Sequence, residues 1–174
     1  MSTHTSAWIG LGANLPSHVG SPADTLASAL AHVARLPETR LDAVSGFYQS
    51  SPVDSDGPVY GNRVARISTA LGAQALLDGL RLIERAFGRE RPYRNAPRTL
   101  DLDVLLYGEL GTERCDSAEL TLPHPRMHQR LFVLMPLAEI DPLLEIPGHG
   151  RVDGLLAALL ASGTDQICEK HPTG

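Results

Sequence analysis

Hydrophobic and polar positions alternate along the chain with periods that name its elements one after another. Residues 7–12 form an apolar run that predicts a short buried strand ending at a glycine turn. Ser21 then offers an N-cap, Pro22 suits the first helical position, and Asp24 suits the positive helix end. Leu26, Leu30 and Val33 recur at helical spacing, so a core-facing helix is predicted to about Leu36, where Pro37 stops it. Residues 41–49 and 62–71 predict two strands, and in the second Ala65, Ile67, Thr69 and Leu71 share a face by alternation. A helix over 74–87 carries a stripe of Leu76, Leu80, Ile83 and Phe87, with Gly88 as its stop. A strand over 100–107, a short strand near 120–122, a helix over 126–140 distorted by Pro136, and a last helix over 152–161 complete the series. Strand, helix, strand, strand, helix, strand is the order of a ferredoxin-like split βαβ core. The expected class is therefore α+β, with a mostly antiparallel sheet and flanking helices.

Length and charge narrow this picture. With 174 residues, 43% of them hydrophobic, the chain suits one catalytic domain over 1–174, with flexible ends at 1–6 and about 162–174. A net charge of −5 argues against nucleic acid as the main partner, so any anion site must be a local cluster of arginines. No run is long and apolar enough for a membrane span, and the polar start lacks a leader pattern. Cys115 and Cys168 lie far apart in polar surroundings, which favours a reducing, cytoplasmic setting.

The densest chemistry lies between Gly88 and Asp103. Asp101 and Asp103, two apart in a strand, project from one face, while Leu100, Leu102, Val104 and Leu106 are expected to take the other. Adjacent carboxylates repel unless a cation sits between them, and Mg2+ with phosphate oxygens is the natural candidate. Arg89, Arg91, Arg94 and Arg98 precede the pair on a proline-containing loop, where guanidinium groups can converge on phosphate. Arginines beside paired aspartates make the pattern of metal-assisted phosphoryl transfer. His124 between two prolines, with Arg130 and Phe132 beyond, is a second candidate place. The loop from Phe47 and Tyr48 through Ser50, Ser51 and Val53 to Tyr60 and Asn62 could grip a flat polar heterocycle. Two other readings stay open at this point. A nucleotidyltransferase would release pyrophosphate, and a ferredoxin-like regulatory module would bind a metabolite without turnover.

In this order the residues resemble the 6-hydroxymethyl-7,8-dihydropterin pyrophosphokinase family of folate biosynthesis. The resemblance runs from Ile9-Gly10-Leu11-Gly12-Ala13-Asn14-Leu15 to about Pro142. Its marks are Pro97-Arg98-Thr99-Leu100-Asp101-Leu102-Asp103, then Leu120-Thr121-Leu122-Pro123-His124, then Phe47-Tyr48 with Tyr60-Gly61-Asn62. It implies a monomeric enzyme, a pyrophosphokinase (diphosphotransferase) that converts ATP and the dihydropterin alcohol into AMP and the pterin diphosphate. Asp101 and Asp103 would hold two Mg2+ ions, with Arg89 and Arg98 closest to catalysis. Glu84, Arg91, Arg98, Val104, Thr121, His124 and Arg130 would bind ATP. Tyr60 and Phe132 would sandwich the pterin, while Ser50, Val53 and Asn62 read its polar edge. Asn95 and Ala96, Ser50 and Ser51, and Pro125 stand where the family pattern has Trp-Gly, Thr-Pro and Tyr.

Overall fold

Strand β1 (Thr5–Ala13) is an inner strand of the sheet in a computed structural model that describes residues 3–52, 57–88 and 99–172. The chain continues through helix α1 (Pro22–Ala34), strands β2 (Thr39–Val44), β3 (Tyr48–Ser50) and β4 (Tyr60–Thr69), helix α2 (Ala73–Ala86) and strand β5 (Asp101–Tyr107). A hairpin of β6 (Cys115–Asp116) and β7 (Thr121–Leu122) leads to helix α3 (Leu131–Ile140). A second hairpin, β8 (Glu145–Ile146) and β9 (Gly150–Arg151), leads to helix α4 (Val152–Ala161) and strand β10 (Cys168–Lys170). The main sheet has the order β10-β3-β4-β1-β5, with β2 also on β4, and its pairings are antiparallel. This is the ferredoxin-like interleaving expected from the element order.

Local chemistry explains the two helices that cover one face. Ser21 and Asp24 form a reciprocal capping box ahead of Pro22, so two otherwise orphaned amides are satisfied at the start of α1. Gly88 takes φ 73°, the left-handed conformation that glycine enters without penalty, and ends α2. Leu26, Leu76 and Leu80 are fully buried between these helices and the sheet. Each contributes roughly 1.5–3 kcal/mol by leaving water. The opposite face carries a second core, in which Trp8, Val64, Leu105 and Leu106 meet Leu134 and Leu137 of α3, with α4 packed behind. Helices on both faces leave the strand ends as the open part of the molecule.

Four expectations need correction. Residues 41–49 are not one strand: β2 and β3 are separated at Ser45 and Gly46. Ser45 N still donates to Val64 O at 2.9 Å, but Val64 N turns to Ser45 Oγ at 3.0 Å and Gly46 N to Glu139 Oε2 at 2.7 Å, so side chains replace part of the ladder there. The glycine pair of β1 is no turn, since the strand runs on to Ala13. Leu106 does not share a face with Leu102 and Val104. A bulge puts Leu105 out of register between Ile9↔Val104 and Trp8↔Leu106, and Leu105 O accepts from His124 N at 2.9 Å instead. The helix expected from 126 starts at Leu131, because Arg130 is extended (φ −116°, ψ 117°) after a short turn of 3-10 helix; α3 then continues through Pro136. Near the two ends, residues 5–6 and 168–170 lie in strands. Thr5 pairs with Thr69, and β10 pairs with β3.

Phe47 presses its ring against Gly61, where an added Cβ would lie 2.3 Å from Phe47 Cζ. Phe47 is itself buried, so Gly61→Ala is expected to lower stability by about 1–3 kcal/mol. Urea unfolding checks this, and an unchanged midpoint would show that the ring can move aside.

Candidate active site

β5 lies at the edge of the sheet: β1 covers one side, and no strand covers the other among the described residues. Alternation sends Leu102 and Val104 into the core under α1 and α2, and turns Asp101 and Asp103 toward the α3 side. On β1 the residues facing the pair are glycines, Gly12 opposite Asp101 and Gly10 opposite Asp103. No β1 side chain shields either carboxylate. Behind the pair, Glu84 of α2 is 1% exposed, and its Oε2 accepts from Leu102 N at 2.9 Å. Leu102 lies between the aspartates, so this carboxylate satisfies an amide at the open strand edge. A hydrogen bond to a charged acceptor of this kind is worth about 1.5–3 kcal/mol.

Two clefts meet at Asp103. The first is lined by Gly10, Gly12, Asp101 and Asp103 below, Ser50, Ser51, Tyr60 and Asn62 on one wall, and Arg130 and Phe132 on the other. Leu11, Val64, Leu105 and Val133 supply apolar surface. Asn62, 4% exposed, donates to Ser50 Oγ at 2.8 Å, and the Arg130 guanidinium lies 5.3 Å over the Phe132 ring. A mostly apolar slot with a few fixed polar groups suits a small flat ligand. The second cleft, of about 460 Å³, runs along the outer edge of β5 between Leu77, Arg81, Glu84, Arg85, Leu102, Asp103 and Glu119.

The structure thus brings together Asp101, Asp103, Ser50, Tyr60, Asn62, Arg130 and Phe132 in the first cleft, and Glu84 with Asp103 in the second. Val104 is buried in the core, and Thr121 and His124 line neither cleft. Arg89, Arg91, Arg94, Arg98, Asn95, Ala96 and Val53 lie outside the described residues. Sequence reasoning missed Gly10, Gly12 and Arg63 in the first cleft, and Arg81 and Arg85 in the second. Leu77, Arg81, Glu84 and Arg85 fall at helical spacing and could have been read as one face of α2. The Gly-x-Gly spacing in β1 could have been read as a bare strip on one face.

The donor set at Asp101 and Asp103 suits Mg2+. Among the described residues no group of three or more His, Cys, Asp or Glu could cage a metal ion. Two carboxylates beside an open cleft are the sparse protein share that Mg2+ takes when phosphate and water complete its shell.

Known proteins resemble this chain in sequence and in fold. Residues 8–142 match the family described as 7,8-dihydro-6-hydroxymethylpterin-pyrophosphokinase. A Pseudomonas aeruginosa protein named 2-amino-4-hydroxy-6-hydroxymethyldihydropteridine pyrophosphokinase is 42% identical over 161 residues, covering 92% of this chain and 95% of its own. A Haemophilus influenzae protein of the same name is 44% identical over 152 residues, covering 87% and 91%. In the solved structures, the Plasmodium falciparum HPPK-DHPS wild type with STZ-DHP superimposes with a TM-score of 0.71 at 11% identity over 91% of this chain. This chain spans 44% of that longer one, and the likeness is one of fold.

His124 accepts a hydrogen bond from Arg126 N at Nδ1 (3.2 Å), which requires an unprotonated nitrogen there. Burial pushes its pKa down from 6.5 to about 4, Arg130 and Arg126 adding to the effect and Asp101 opposing it. Between those two values the unfolded chain binds more protons than the folded one. Stability is therefore expected to be flat above the upper value and to fall as pH drops through that window. An NMR titration should give a His124 midpoint near 4, and a midpoint at the ordinary value would contradict the assignment.

Proposed function

Since the chain belongs to the 7,8-dihydro-6-hydroxymethylpterin-pyrophosphokinase family, we propose that its first cleft holds the pterin and its second holds the nucleotide, with the reacting phosphate above Asp103. The enzyme transfers a pyrophosphoryl group from ATP to 6-hydroxymethyl-7,8-dihydropterin, giving AMP and the pterin diphosphate, a step of folate biosynthesis. The observation that supports the site assignment is the sharing of Asp103 by a slot for a flat ring and a groove along the strand edge.

Tyr60 and Phe132 flank the pterin ring, and Asn62, held by Ser50, presents its side-chain amide to the ring's polar edge. Asp101 and Asp103 would hold two Mg2+ ions, which would neutralise and align the triphosphate. Glu84 keeps the two carboxylates in register through Leu102 N. The hydroxymethyl oxygen attacks the β-phosphorus, the bond to the α-phosphate oxygen breaks, AMP leaves, and the alcohol proton passes to water or to an aspartate. Arg130 in the cleft, with Arg89, Arg91 and Arg98 from the arginine loop, offsets charge on the transferring group. Val104, Thr121 and His124 line neither cleft, and their assignment to the nucleotide rests on the resemblance. Val53 adds backbone contact to the pterin. We read the chain as a single-domain, monomeric, cytoplasmic enzyme. No described helix is long and apolar enough to cross a membrane.

Incubation with ATP, Mg2+ and the pterin alcohol should yield AMP; release of pyrophosphate instead would identify a nucleotidyltransferase. Asp103→Ala is expected to cut kcat by more than about a hundredfold while the protein stays folded by circular dichroism. Near-normal turnover in that variant would remove the metal assignment. Arg98→Ala should slow the chemical step more than it weakens ATP binding. Single-turnover kinetics decide this, and a loss confined to affinity would refute the role.

A further inference from the structure

The segment from Gln166 to His171 touches both walls of the first cleft, and it lies beyond the residues that match the family, 8–142. On one wall Gln166 uses a single side-chain amide twice. Its Oε1 accepts from Leu131 N at 3.0 Å, and its Nε2 donates to Gln129 O at 2.8 Å. These two backbone groups flank Arg130, the extended residue that aims its side chain over Phe132 in the cleft. Leu131 N is one of the first amides of α3, which lack partners inside the helix, and Arg130 gives no side-chain cap. Gln166 supplies that cap from a distant part of the chain.

On the other wall Ile167 O accepts from Ser51 N at 3.1 Å, and β10 pairs Cys168 and Lys170 with Ser50 and Tyr48. Ser50 and Ser51 line the cleft. Lys170 pairs with Glu139 of α3, whose Oε2 also accepts from Tyr48 OH at 3.2 Å, and His171 N donates to Phe47 O at 2.8 Å. The segment therefore bridges α3 and β3 by bonds whose partners sit at or next to cleft-lining residues.

We propose that Gln166 is a positioning residue for the pterin cleft, and that residues 166–171 act as a strap setting the gap between the Arg130–Phe132 wall and the Ser50–Ser51 wall. This rests on the reading of the first cleft as the pterin site. Two neutral hydrogen bonds hold the backbone beside Arg130. Their loss loosens the wall without removing any group that touches substrate.

The test is Gln166→Met, which keeps length and removes both hydrogen bonds, made in the wild type and in the Phe132→Ala background. Equilibrium binding of the pterin alcohol to the full chain, with Mg2+ and a non-hydrolysable ATP analogue present, is measured beside steady-state kinetics. In the wild-type background Kd and KM for the pterin should rise roughly tenfold with kcat nearly unchanged. In the Phe132→Ala background the same change should have little further effect, because the two residues act through one wall. An unchanged pterin affinity, or an equal loss in both backgrounds, would overturn the strap. A wild-type protein that fails to bind the pterin at all would instead overturn the cleft assignment, and the strap with it.

Discussion

Asp101 and Asp103 carry like charges on one face of an edge strand, about 7 Å apart along the backbone, and the rest of the site is arranged around that tension. Two such carboxylates repel each other, and a cation that reaches both relieves the repulsion. The strand they sit on has a free side, so its amides need another acceptor, and Glu84 supplies one at Leu102 N. A third carboxylate thus lies close behind the pair and fixes the backbone between them.

The two clefts follow from where β5 lies. One face of the sheet is taken by α1 and α2, the other by α3 and α4, and α3 covers the inner strands but not the glycine-faced end of β1 and β5. A slot therefore opens on the α3 side, and a groove opens along the outer edge toward α2. Asp103 belongs to both because it stands where the face of the sheet turns into its edge. In the proposed reading, each substrate is held on its own surface at this corner while the reacting atoms meet.

Much of this was legible in the sequence because it is local. The capping box of α1, the stripe of α2, the stop at Gly88 and the common face of Asp101 and Asp103 each depend on residues a few positions apart. The misread places depend on distant partners. Ser45 and Gly46 break a strand because Val64 and Glu139 wait for them, and the bulge at Leu105 answers to His124. Residues 168–170 become a strand only through β3, and nothing in their own pattern announces it. The same holds for the site: Tyr60, Asn62 and Phe132 stood out along the sequence and took their roles from the resemblance, whereas Arg63 and the strap were invisible until the chain was folded.

Gly10 and Gly12 carry a further consequence. A Cβ at Gly12 would meet only ordinary contacts, the nearest Asn62 Oδ1 at 3.6 Å, and one at Gly10 would lie 3.4 Å from Leu105 Cδ2. Both sit in extended backbone, where alanine normally outperforms glycine. A library sorted for yield or heat tolerance alone would thus drift toward alanine at these positions and slowly fill the floor of the slot. Folding and chemistry make opposite demands at the same two atoms' worth of space, and only a screen for turnover can see it.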